Sequence, residues 1–392
     1  MAPQAEVDMF AKRLGVAVGS LLALLVSGCG GGNSNLMPTP PANTCTPATQ
    51  PAFAYVLDAV NTDSVSMFTI DSCTGALMPT NPAIVATGFQ GANMVVDPSG
   101  KFVYVANLVS NASDQATISM YTIDSSTGVL TPTTPATIAT GFLPQGIGID
   151  PFSRFVYTAN SDSNTVSMFT INPATGVLTP IMPASVATGS SPLSVTVHPS
   201  GEFAYVANQD DDTISMYTIN PNSGVLAPTT PATVPTGGSP FGVTVDPSGK
   251  FAYVPNTYAN NTVSQYTIDP VTGVLSPSML SEVLTGNQPT SVIVDPTGKF
   301  AYVMNRLDNT VSMYVLDANT GNLTPNLPAT IATGLQPYRG AFDPSGKFAY
   351  VVNEGDGTVS VYTLNPNGTL SSAGASETGI GPVAVAATAG VK

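Results

Sequence analysis

The chain has 392 residues, of which 24 are acidic and 10 basic, for a net charge of −14. That balance argues against nucleic acid as a partner, since phosphate binding needs clustered Lys and Arg. Charged residues make up only 9% and Trp is absent, while Val, Ile, Tyr and Phe recur among Thr and Ser with abundant Gly and Pro, a β composition longer than one ordinary core uses.

Residues 1–28 carry Lys12 and Arg13, an apolar run over 16–26, and the small residues Ser27 and Gly28 before Cys29. A positive flank, a short apolar segment and small residues at a cleavage point predict a secretory signal. The run is shorter than the roughly 20 residues that a permanent bilayer span needs. Val26-Ser27-Gly28-Cys29 resembles the lipobox of bacterial lipoproteins. The resemblance implies cleavage before Cys29 and its lipidation, hence a lipid anchor in the bacterial cell envelope. Gly30 rather than Asp after the Cys implies outer-membrane sorting in a Gram-negative cell. Two or more acyl chains anchor stably where one does not.

Residues 29–51 hold the lipidated Cys and a Gly/Pro/Thr/Asn tether with no apolar period. The membrane is therefore expected as a partner through the lipid alone. With Cys29 taken, Cys45 and Cys73 are left as an even pair, able to form a disulfide in an oxidising compartment or to stay as two thiols.

From residue 52 to 392 one phrase recurs. Phe-x-Tyr opens at Phe53, Phe102, Phe155, Phe203, Phe251, Phe300 and Phe348, with successive tyrosines 49, 53, 48, 48, 49 and 48 residues apart. The one long interval holds an insertion over 107–115. A period near 48 suits a four-stranded propeller blade. One repeat predicts strands at 242–246, 250–256 and 262–269 and a fourth starting at Val274. Asp246-Pro247-Ser248-Gly249 and Asp269-Pro270-Val271-Thr272-Gly273 are the tight turns between them. Apolar groups point to both sides, Phe and Tyr one way, Ala and Val the other, as blades buried on two faces require.

The two ends complement each other. The first repeat starts at its second strand, Phe53 onward, and the last copy stops after one strand beginning at Pro382. An open solenoid would place atypical caps at both ends. Here a C-terminal strand joining blade one would instead pair otherwise exposed edges. The expected fold is all-β: a seven-bladed propeller with four antiparallel strands per blade, closed by that strand, and a monomer. KFAYVAN-like, NTVSMYTID-like and DPSG segments resemble the seven-bladed, 6-phosphogluconolactonase-like lactonase family and the YVTN-repeat surface proteins over essentially all of 52–392. The resemblance implies the fold firmly and an activity weakly, because such propellers include enzymes and binding proteins.

Propellers place sites at the channel mouth, formed by the loops entering each first strand and those joining the second strand to the third. At the third position of the first set stand Asn93, Gly146, Ser194, Gly242, Ser291, Arg339 and Ala384. Arg339 is the exception to small or polar. It is expected to pair with a nearby carboxylate or, as the second choice, to hold an anion in the channel. The second set is rich in Asn and Asp. The Asn ending most second strands, with Asp58 in blade one, is read as a turn-former bonding its own backbone. Asp210-Asp211-Asp212 lacks the alternating ligand spacing of a calcium loop. Neither a metal nor a cofactor is expected. His198 replaces the Asp of an Asp-Pro-Ser-Gly turn at the far end of the strand, and Lys101, Arg154, Lys250, Lys299 and Lys347 follow those turns. Arg306 and Arg339 are thus nearly alone among acids at the mouth, a poor field for a sugar phosphate.

Pro337-Tyr338-Arg339 followed by Asn353-Glu354 is similar to the segment that carries the lactonase family's catalytic Arg-His and Asn-Glu. The similarity implies Glu354 as base and Arg339 as electrostatic stabiliser; Tyr338 and Asn353 of the same segment, and Arg306 as a break in the repeat at the mouth, are the expected ligand contacts. Tyr338 and Arg339 stand where the family has Arg and His, so the imidazole is missing. For that reason the first expectation is an envelope-anchored scaffold that binds a protein or glycan partner. The alternative is a lactonase, a carboxylic-ester hydrolase acting on a sugar lactone, and whether the chain is an enzyme stays open at this point.

Overall fold

A computed structural model describes residue 45 and residues 50–60, 63–108, 115–258 and 260–389. The signal, Cys29 and most of the tether and of the 107–115 insertion lie outside the described residues. Cys45 and Cys73 are both disulfide-bonded cysteines. The described residues of the unit Thr46–Lys392 form seven four-stranded antiparallel sheets.

Blades 2 to 7 each run first strand to fourth in chain order, and blade 1 takes its first strand from the other end of the chain. The closing strand, Pro382–Ala389, pairs with Ala52–Asp58, so the ring is closed as the two incomplete ends predict. In the blade used above as the pattern, blade 5, the second and third strands are Phe251–Asn256 and Thr262–Ile268 and the fourth is Leu275–Leu284. Its first strand is shorter than expected, Thr244–Val245, with a separate bridge between Pro240 and Asn256.

The Phe-x-Tyr signature is an interblade clasp. In each blade the Tyr hydroxyl donates to a Gly carbonyl in the turn between third and fourth strands of the next blade, from Tyr55 to Gly128 at 2.9 Å round to Tyr350 and Gly75 at 3.0 Å. The Phe two residues earlier packs on that same Gly. At Gly321 a Cβ would meet the Phe251 ring at 2.3 Å, and the backbone φ is +74°. Only Gly meets both conditions, a left-handed backbone and a ring against Cα. The alternate residues Ala54 and Val56 face the opposite neighbour and pack with Tyr350 and Val352, so each second strand glues two seams.

The Asn that ends the second strand does not act as a turn-former. It is fully buried in blades 3 to 7 and reaches across the seam instead. Asn305 Oδ1 accepts from Thr285 of the preceding blade at 2.9 Å, while its Nδ2 donates to Ser312 at 2.8 Å. A buried amide satisfied on both ends staples two sheets, which a residue bonding its own backbone could not do. Blade 1 has Asp58 in this position. Ser66 donates to it at 2.6 Å, and burial pushes its carboxyl up to about 6 against the opposing pull of hydrogen bonds from Ser66, Thr378 and the Gly379 amide.

Candidate active site at the channel mouth

Among the described residues, the segments entering the first strands and those after the second strands lie at one end of the ring, and first-strand residues such as Asn93, Ser194, Ser291 and Arg339 line one cavity there. Arg306 and Glu354 each follow the buried Asn of their blade. Their backbone N–H groups donate to Gln288 and Gln336 respectively, both at 3.0 Å. They occupy one repeat position in adjacent blades, so their side chains meet. Arg306 Nη2 donates to Glu354 Oε2 at 2.7 Å and Nε to the same oxygen at 3.2 Å. Both side chains are about a quarter exposed, at 27% and 25%. Among the described residues, Oε1 of Glu354 and Nη1 of Arg306 carry no other hydrogen bond and remain open to the mouth.

Tyr338 and Arg339 owe their positions to a break in the ladder. In blades 2, 3, 4 and 6 the first strand skips one residue after its opening position and pairing resumes at the next, as Ser291 does with Met304. In blade 7, Pro337 pairs with Asn353 but pairing resumes only at Gly340 with Val351. The offset after the break is the one found in the other blades, so Tyr338 is the same extra residue of a bulge, and Arg339 beside it is left without a ladder partner. Tyr338 meets Phe241 of blade 5 edge-on, with centroids 5.4 Å apart, and the Arg339 guanidinium lies 5.0 Å from the Tyr338 ring. Burial raises the Tyr338 phenol above its ordinary range, Arg339 and Arg306 pull it down, and Glu354 and Tyr258 push it up. Those five groups thus share one electrostatic environment.

The carboxylate expected to pair with Arg339 goes to Arg306. Arg339 Nη1 instead donates to carbonyls of the two blades that follow, Val383 of blade 1 at 3.1 Å and Ala92 of blade 2 at 3.2 Å. Asn353, expected at a ligand, is buried and spent on the seam staple with Thr333, Thr358 and Ser360, so it presents nothing to the mouth. Phe241, Tyr258 and Gln336 belong to the mouth and were not singled out from sequence.

Other candidates resolve away from the mouth. Ser200 N–H donates to His198 Nδ1 at 3.0 Å, so the proton lies on Nε2, which donates to the Gly249 carbonyl at 2.8 Å. His198 is a turn residue on the far face. Asp211 and Asp212 accept backbone N–H groups of Ser190 and Ser239, and Asp210 accepts from the Ser191 hydroxyl. Among the described residues no group of His, Cys, Asp and Glu could hold a metal ion. A cavity of about 590 Å³ lies at the opposite end of the channel beside Asp97 and Lys101. Asp97 is consumed there by Ser99, Lys101 and Phe102, so volume alone does not mark the chemistry.

Fold and site together define a seven-bladed propeller with a charged, aromatic-lined channel mouth. The sequence profile described as Lactonase, 7-bladed beta-propeller matches residues 48–191, 179–292, 227–335 and 285–380, and the chain belongs to that family. Among solved structures it is similar to a candidate 6-phosphogluconolactonase of Bacteroides fragilis, with TM-score 0.75 and 22% identity over 89% of this chain and 100% of that one. It is also similar to the periplasmic gluconolactonase PpgL of Pseudomonas aeruginosa, with TM-score 0.73 and 19% identity over 87% of this chain and 99% of that one. At such identities these likenesses speak for the fold. No curated protein matches the sequence significantly.

Proposed function

We propose that this protein is a lactonase of the bacterial cell envelope, lipidated at Cys29, that opens a sugar lactone at the channel mouth. The observation that carries the reading is the Arg306–Glu354 pair, set at the mouth of a lactonase-family propeller with one carboxylate oxygen and one guanidinium nitrogen unengaged. Glu354 Oε1 takes a proton from a water that attacks the lactone carbonyl. Arg306 Nη1 faces the carbonyl oxygen as it gains charge, and Arg339 adds a second positive charge from below. The tetrahedral intermediate collapses with cleavage of the ring C–O bond, and Glu354 returns the proton to the departing alkoxide. Lactone and water give the hydroxy acid, and Glu354 ends as it began.

The full-length protein should hydrolyse one or more members of an aldonolactone panel. Glu354→Gln should lower kcat by about 10²-fold or more while His198→Ala leaves it unchanged. Hydrolysis that survives Glu354→Gln would remove this mechanism.

A second reading, a scaffold for a protein or glycan partner, is favoured by one feature of the same face. Four consecutive loops entering the first strands expose Leu335, Ile380, Phe89 and Phe142, at 53%, 59%, 41% and 44%, whereas the next three carry Ser190, Gly238 and Asn287 there. An apolar arc of this kind suits a partner. It predicts capture of a partner lost on Phe89→Ser with Phe142→Ser and indifferent to Glu354→Gln.

A further inference from the structure

We propose that the channel just below the mouth is a binding site for one small planar oxyanion of carboxylate size. A cavity of about 150 Å³ lies there, lined by side chains that include Asn93, Ser194, Thr196, Thr244, Ser291 and Arg339, with no carboxylate in the lining. The donors still available in this lining are the Arg339 guanidinium, the Asn93 amide and the hydroxyls of Ser194 and Ser291. Thr196, Thr244 and Thr290 spend their hydroxyl protons on the carbonyls of Val243, Val292 and Tyr338 in the neighbouring blades. Asn93 uses its Oδ1 to accept from Met94 N–H, which leaves the Nδ2 group to donate. Ser194 Oγ is buried without a hydrogen-bond partner among the described residues, a costly state for a hydroxyl. Gly242, next to it, has no side chain to fill the space.

The charge balance points the same way. Arg339 has two carbonyls on Nη1 and, among the described residues, nothing on Nε or Nη2. The carboxylate whose field it feels, Glu354, is already paired with Arg306. A guanidinium withdrawn from water beside donors and without its own counter-ion is stabilised by an anion, and its planar fork matches a planar oxyanion. Further down, the channel is lined by Val245, Ile293, Val294 and Phe342 among others and by no cation, so the site is confined to the level of Arg339.

Acetate and its neutral isostere acetamide are the probes, titrated calorimetrically into the full-length protein at constant ionic strength. Acetate should bind saturably at one site and acetamide should not. Ser194→Ala should weaken acetate about tenfold, the loss of one hydrogen bond to a charged group, and Arg339→Gln should abolish binding. Should Arg339→Gln fail to fold, Ser194→Ala and Ser291→Ala carry the test. Absence of saturable acetate binding, or acetate affinity unchanged in Ser194→Ala, would overturn the proposal. Glu354→Gln removes the proposed hydrolysis and also a negative charge whose field reaches Arg339, so acetate binding should be retained or tightened, and the two readings fail separately.

Discussion

The two ends of the propeller are built on opposite terms. At the far end every blade obeys the repeat: Phe packs on Gly and Tyr donates to that Gly, and in blades 2 to 7 an Asp or His closes the turn between first and second strands. At the mouth the repeat is broken, most of all in blades 5 to 7, by a shortened strand, an unpaired Arg339 in the first strand of blade 7 and opposite charges at one repeat position. Uniform contacts fix the ring, and the departures supply reactive groups without disturbing it. Substitutions at the two ends should therefore separate stability from activity.

The largest effect tests closure itself. A chain ending after Gly379 lacks the strand Pro382–Ala389, exposes the edge of Ala52–Asp58 and should lose cooperative thermal unfolding. An unchanged sharp transition would show that the ring does not depend on this seam. Next, Phe251→Ala empties a clasp and should cost about 3–5 kcal/mol in denaturant melts, with lactone hydrolysis per folded molecule retained.

The seam between blades 7 and 1 offers a gain instead of a loss. Asp58 is buried, and its folded value of about 6 lies above the 3.8 of an unperturbed carboxyl. The native state then binds the proton more tightly than the unfolded chain, so the contribution is fully present below about pH 4. It is lost as pH rises to about 6 and stays lost above it. A shift of about two units corresponds to about 3 kcal/mol. Asp58→Asn, which restores the staple found in the other blades, should raise stability at pH 7 by up to that amount and flatten the profile between pH 4 and 6. A variant no more stable than the parent at pH 7 would show that the carboxylate is accommodated without cost. The smallest stability effect belongs to the mouth: Glu354→Gln removes a part-exposed ion pair, worth less than about 1 kcal/mol.

Most of the fold was legible because Phe-x-Tyr, its spacing and the complementary ends are all local in sequence. The role of the recurring Asn was not. Its partners, such as Thr285 and Ser312 for Asn305, come from the connection between two blades and from a strand, and only the folded seam shows that they flank one amide. The mouth was half legible. Arg306, Tyr338, Arg339 and Glu354 stood out as departures from the repeat, but only the folded mouth shows that Glu354 pairs with Arg306 while Arg339 takes the carbonyls of Val383 and Ala92. One signal was available and unused. Arg306 and Glu354 both follow the buried Asn, 48 residues apart, and opposite charges at one repeat position of adjacent blades should meet. Phe241 and Tyr258 sit in blade 5, whose first strand is cut short, and no sequence spacing ties them to Tyr338.

The measurement that bears most directly on the mouth as a reaction centre is lactone hydrolysis by the full-length protein and by Glu354→Gln, with thermal unfolding followed on the same samples. The account predicts turnover by the parent, its loss by about 10²-fold or more in the variant, and melting curves that nearly coincide. A parent inactive across the panel, or a variant as active as the parent, would contradict it.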